Sequence, residues 1–101
     1  MKDEALIAQM NDRSKPAQAP EMFKPSGKWS SREALVDEFK SRRDQNIRWL
    51  WETRDDLRGT LVKSGVGVID AYQMLLFVPA HTERHLQQVA EIKATANYPK
   101  Q

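Results

Sequence analysis

Apolar and polar positions alternate with helical periodicity over most of this chain. Val36, Phe39, Ile47, Leu50 and Leu57 share one stripe, interrupted by the polar Arg43, Asn46 and Arg54. Spacing of three and four predicts a long amphipathic helix there. Its start is marked by "SSRE", with Ser30 as N-cap, Glu33 as reciprocal partner in a capping box and Trp29 as a hydrophobic staple. Gly59 is its natural stop. The helix therefore covers residues 30–58, roughly 42 Å at 1.5 Å per residue.

A second long helix is predicted over residues 69–95, ended by "ANYPK", because Pro99 cannot continue a helix. A short helix fits residues 1–11, with Ala5, Leu6, Ala8 and Met10 as its apolar positions. Residues 12–29 hold three of the five prolines and read as an extended connection. "TLVKSGVGV", with two glycines, reads as the turn between the long helices. Two long helices of equal length with a short connection predict an antiparallel hairpin. The fold class is all-α, with no strand, in a single domain.

Composition narrows the function classes. The 101 residues are 40% hydrophobic and 30% charged, which places the chain among ordinary globular sequences. Sixteen basic and fourteen acidic residues are mixed along the chain, for a net charge of +2. That pattern offers no basic stripe for nucleic acid, despite "KSRR" at Lys40 to Arg43. There are no cysteines, so disulfides, thiolate ligands and a catalytic thiol from this chain are excluded. "MKDEALIAQMNDR" lacks the apolar segment of a signal peptide, and no apolar run approaches the ~20 residues of a membrane span. A cytoplasmic location without nucleic-acid or membrane partners is the expectation.

The candidate chemistry lies in "LLFVPAHTERHLQQVAEI", which contains both histidines of the chain, His81 and His85. At about 100° per residue they sit on one side of the second long helix, in the stripe of Met74, Phe77, Val78, Gln88, Val89 and Ile92. Both imidazoles are expected to point to the core. An i,i+4 pair can bring two ring nitrogens to one divalent cation, whereas two core histidines satisfied by hydrogen bonds are the plainer alternative. Pro79 should kink the helix two residues before His81. A hairpin symmetric about residues 63–64 sets Arg43 opposite His85 and Asn46 opposite His81. In that register they could orient a ligand or hold an anionic substrate group, or Arg43 could simply extend its head to solvent. Trp51 is expected at the edge of the buried stripe and Trp49 on the outward side. Glu83 faces away from the pair, so "HTERH" is not the metalloprotease H-E-x-x-H.

Several segments together resemble the DinB-like metal-binding four-helix bundle family. They are "NDRSKPAQAP", "KPSGKWSSREALVDEFKSRRDQNIRWLWETRDDLR" and "GVIDAYQMLLFVPAHTERHLQQVAEIKATANYP", with "HTERH", "LQQVAEIK" and "NYP" the most specific parts. The resemblance implies a helical bundle with a divalent metal at one end of its core, held by three histidines. His81 and His85 match the H-x-x-x-H of the last helix. The third ligand of that pattern comes from an earlier helix, and this chain has no third histidine. The resemblance thus reads as a truncated domain lacking its first helices, with a partial metal site.

Relatives of this kind imply a metal-dependent thiol transferase or hydrolase acting on a small molecule, with zinc or nickel and an exogenous low-molecular-weight thiol as cofactors. A homodimer would complete the four-helix bundle and cover the apolar stripes left open by a lone hairpin. The alternative is a non-enzymatic helical oligomerisation module that has lost the metal site. No catalytic residue is assigned.

Overall fold

The computed structural model describes residues 1–100. Its elements follow the order α1 (Asp3–Asn11), a short 3-10 turn (Glu21–Phe23), α2 (Arg32–Glu52), β1 (Leu61–Ser64), β2 (Gly67–Asp70) and α3 (Ala71–Lys93). The chain divides into two compact units, one formed by Met1–Pro16 with Asp56–Gln101 and the other by Ala17–Asp55. α1, the strands and α3 belong to the first unit, and α2 to the second.

In the first unit α1 packs along α3, and the strands pack against the start of α3. Leu6 and Ile69 are fully buried, and Met10 and Ala80 complete the apolar core. Two polar side chains share it. Gln73 and Arg84 lie on the face of α3 that also carries Ala80, at spacings of seven and four residues that return to one side of a helix.

Each of these polar groups is satisfied, as burial requires. Asp70 caps α3 by accepting from the Gln73 backbone N–H at 2.7 Å, and the Gln73 side chain accepts from the Asp70 N–H at 3.1 Å. This reciprocal pair is a capping box. The Gln73 amide nitrogen then donates to the Met1 carbonyl at 2.6 Å and to Asp3 at 3.0 Å. The Arg84 guanidinium donates to the carbonyls of Met10, Asp12 and Lys15, each at 2.9 Å. It thereby holds one carbonyl in the last turn of α1, which has no intrahelical partner, and two in the segment that follows the helix. On the surface Arg58 bridges Asp3 and Asp70 and stacks over Tyr72.

The antiparallel pair of strands corrects the all-α expectation. β1 and β2 pair from Leu61↔Asp70 to Ser64↔Gly67, around the two-residue turn Gly65–Val66. Gly67 adopts φ +116°, a region that side-chain-bearing residues avoid. The Ser64 hydroxyl closes the turn by donating to the Gly67 carbonyl at 2.8 Å. The segment expected as a bare glycine turn therefore pairs its backbone groups, and β2 takes in Asp70 and the buried Ile69, which were expected to open the second long helix.

The predicted helices are present with shorter bounds. The expected 1–11 helix is α1, and the expected 69–95 helix is α3, which runs through Pro79. The expected 30–58 helix starts two residues later, because Ser31 rather than Ser30 accepts from the Ala34 N–H. It also ends six residues earlier. Thr53 turns extended and its hydroxyl accepts from the Asp55 N–H, while Asp56 binds the Gly59 N–H in the turn that follows. The 12–29 connection contains the 3-10 turn but is otherwise free of regular structure.

In the second unit α2 buries no residue. Its stability is local: the Ser31 cap, an Arg42–Glu38 ion pair at i,i+4 and the Arg43 guanidinium over the Phe39 ring, 5.0 Å from its centroid. The tryptophans reverse the expected order, since Trp51 is 86% exposed and Trp49 44%. Among the described residues no helix is long and apolar enough to cross a membrane.

Candidate metal centre

α3 positions both histidines, and the face it buries decides their surroundings. Gln73, Ala80 and Arg84 point into the unit, whereas His81 and His85 stand on an exposed face. This corrects the expectation that the imidazoles point to the core. Met74, Val89 and Ile92, expected to be buried with them, are exposed on the same side. The stripe richest in apolar residues is thus the one the unit leaves open.

On this face the two rings are tightly arranged. Their centroids lie 4.4 Å apart with the planes at 90°, and the Nε2 atoms approach to 2.9 Å. Phe77, one turn before His81, stacks on its ring at 5.4 Å between centroids and 13° between planes. The Gln88 side-chain oxygen, one turn after His85, lies 2.7 Å from His85 Nδ1. Gln88 fell on the predicted stripe, but its contact with His85 was not anticipated. The i,i+3 spacing is the signal that could have revealed it.

Partial burial, then the electrostatic influence of neighbouring His85 and Arg84, lowers the pKa of His81 from the ordinary imidazole value.

The donor set fits part of a metal site. Two imidazoles bound about 2.0–2.1 Å from one cation, at ordinary angles between adjacent ligands, hold their nitrogens roughly 3.0–3.4 Å apart. The observed 2.9 Å approaches that spacing without rearrangement of the helix. No cluster of three or more His, Cys, Asp or Glu side chains able to hold a metal occurs among the described residues. Bound to one cation, the pair would fill two adjacent positions.

Arg43 and Asn46 both lie on α2, in the second unit. Arg43 is half-buried over Phe39 and Asn46 is exposed. Glu83 is exposed, as expected for a residue outside the site.

A helical chain with an i,i+4 histidine pair on its last helix is the class these observations define. The family model of the DinB superfamily matches residues 3–89, and the chain belongs to that superfamily. The match includes both histidines as well as α1 and α2. No curated protein and no solved structure matches the chain.

Proposed function

We propose that this DinB-superfamily chain binds a divalent cation, zinc or nickel, through Nε2 of His81 and His85. In this reading it is related to metal-dependent thiol transferases or hydrolases. The observation that carries the proposal is the convergence of the two Nε2 atoms to 2.9 Å on an open helix face. Two imidazoles this close are either a hydrogen-bonded pair or two ligands of one ion, and family membership favours the second.

When bound, the cation would supply a Lewis acid that lowers the pKa of a water or of a low-molecular-weight thiol. His81 and His85 hold the ion and do not act as bases, because each commits its Nε2 lone pair.

We assign the remaining ligand positions to a second copy of the chain. A twofold axis beside the pair would bring four imidazoles together, and the exposed Met74, Val89 and Ile92 would be covered in the same contact. The lack of a third ligand group among the described residues favours the opposing reading, a helical oligomerisation module with inherited histidines.

Metal content and solution mass, measured together on protein purified without a histidine tag or chelator, separate the two. A dimer with near-stoichiometric metal supports the metal reading. A metal-free oligomer supports the module.

A further inference from the structure

The contact between Gln88 and His85 does more than restrain a side chain, because it decides where the protons of both imidazoles sit. An amide oxygen only accepts hydrogen bonds, so His85 Nδ1, 2.7 Å from Gln88 Oε1, carries the hydrogen. A neutral imidazole has one N–H, which leaves His85 Nε2 with a free lone pair. His81 Nε2 stands 2.9 Å from that lone pair. Two facing lone pairs would repel, so His81 carries its own hydrogen on Nε2 and donates it to His85. The order along α3 is then His81 Nε2–H to His85 Nε2, and His85 Nδ1–H to Gln88.

The two histidines are therefore unequal before any cation arrives. His85 already presents a lone pair outward from Nε2, whereas His81 presents a hydrogen. For both Nε2 atoms to face one cation, His81 must lose the hydrogen from Nε2 and gain one at Nδ1. Water can accept the first and return the second, so the exchange is balanced and releases no net proton. His85 has no such step to make.

We propose that Gln88 is a positioning residue that fixes His85 as the Nδ1–H tautomer, making His85 the preset member of the pair and His81 the member that switches. The inference rests on the reading of the two histidines as metal ligands, and it deepens that reading by naming the side chain that orders them. A hydrogen bond at the far nitrogen of a ligating histidine orients the ring and raises its basicity, and its loss typically weakens metal binding about 10–100-fold. Gln88 is half-buried, one turn from His85 on the same open face, so its replacement leaves the Leu6–Ile69 core untouched.

Long-range 15N–1H spectra of the imidazoles test the inference on the full chain, first metal-free at a pH where both rings are neutral and then with zinc added. The expected metal-free pattern is Nδ1–H at His85 and Nε2–H at His81. Zinc should then change the tautomer of His81 alone. Q88A should give a mixture of tautomers at His85 and a zinc affinity about 10–100-fold weaker. Q88E, whose carboxylate also accepts from Nδ1, should restore both.

An Nε2–H tautomer at His85 in the metal-free wild type overturns the inference, as does unchanged zinc affinity in Q88A. Either result leaves the metal reading intact if zinc still binds. Failure of the wild type to bind zinc overturns the metal reading and the positioning role together, and the metal-free spectra then report only a surface hydrogen bond.

Discussion

Arg84 and His85 are neighbours in the chain, yet Arg84 is buried against the end of α1 while His85 stands on the exposed face of α3. A single step of about 100° around the helix separates the residue that holds the fold from the one proposed to bind a cation. The division is useful physically, since α3 is anchored by one side and free to receive a ligand or partner on another.

Replacing Arg84 by Met should therefore damage the fold before the site. Three carbonyls lose their donors, and hydrogen bonds from a charged group are worth about 1.5–3 kcal/mol each. Because the apolar stem is kept and water can reach part of the vacated space, the expected net loss is about 2–4 kcal/mol in urea unfolding. A loss under about 0.5 kcal/mol would mean that α1 does not depend on this clamp.

Leu6 tests the apolar half of the same contact. It is completely buried, so Leu6→Ala should cost about 2–5 kcal/mol through lost transfer energy and the cavity left behind. A similar truncation at Leu86, which is 58% exposed, should change stability by less than about 0.5 kcal/mol. Equal effects at the two positions would contradict the assignment of the buried face.

The Asp3–Arg58–Asp70 group predicts a specific acid sensitivity. Hydrogen bonds from Arg58 and Gln73 lower the Asp3 pKa to about 2 from the ordinary 3.8. Asp70 is also lowered: burial alone would raise it, but the Gln73 backbone N–H and Arg58 outweigh that effect. A carboxylate whose folded pKa is depressed contributes stability that is complete above its unfolded pKa and lost as pH falls through the folded one. Stability should therefore fall from about pH 4 towards pH 2, and Asp3→Asn should flatten that part of the profile. Identical pH–stability curves for the two proteins would remove Asp3 from the account.

The hairpin turn distinguishes two glycines that are alike in the sequence. Gly67 has φ +116° and Gly65 has no positive φ, while a Cβ at either would meet open space. Gly67→Ala should cost about 1–2 kcal/mol from backbone strain, and Gly65→Ala should be neutral or slightly stabilising. Thermal unfolding of the two variants reads the difference directly, and equal melting temperatures would count against the register of the turn.

How much of this was legible in the sequence depended on which signals compete. The presence of α1, α2 and α3 followed from apolar spacing and survived with adjusted ends. The sequence pointed to Ser30 as the cap of α2, and the backbone places the cap at its neighbour Ser31. The strands were hidden because Gly65 and Gly67 dominated a segment whose Leu61, Val62, Val68 and Ile69 are good strand formers. The larger error concerned the face of α3. Gln73 and Arg84 lay outside the predicted stripe, yet backbone carbonyls of the first unit accept from both and allow their burial. Polarity identifies the outside of a helix only while no neighbouring backbone needs a donor. The histidines themselves were found from spacing alone, and their pairing with Gln88 needed the side-chain geometry.

The central claim, that His81 and His85 together hold a divalent cation, is tested most directly by thermal unfolding with and without zinc. A ligand that binds only the folded state stabilises it by about 2.7 kcal/mol at a concentration 100 times its Kd. The wild type should show a melting temperature that rises with zinc, and the His81→Ala/His85→Ala protein should fold with a melting temperature that zinc does not raise. A wild-type melting temperature indifferent to zinc, or an equal rise in the double variant, would contradict the metal site.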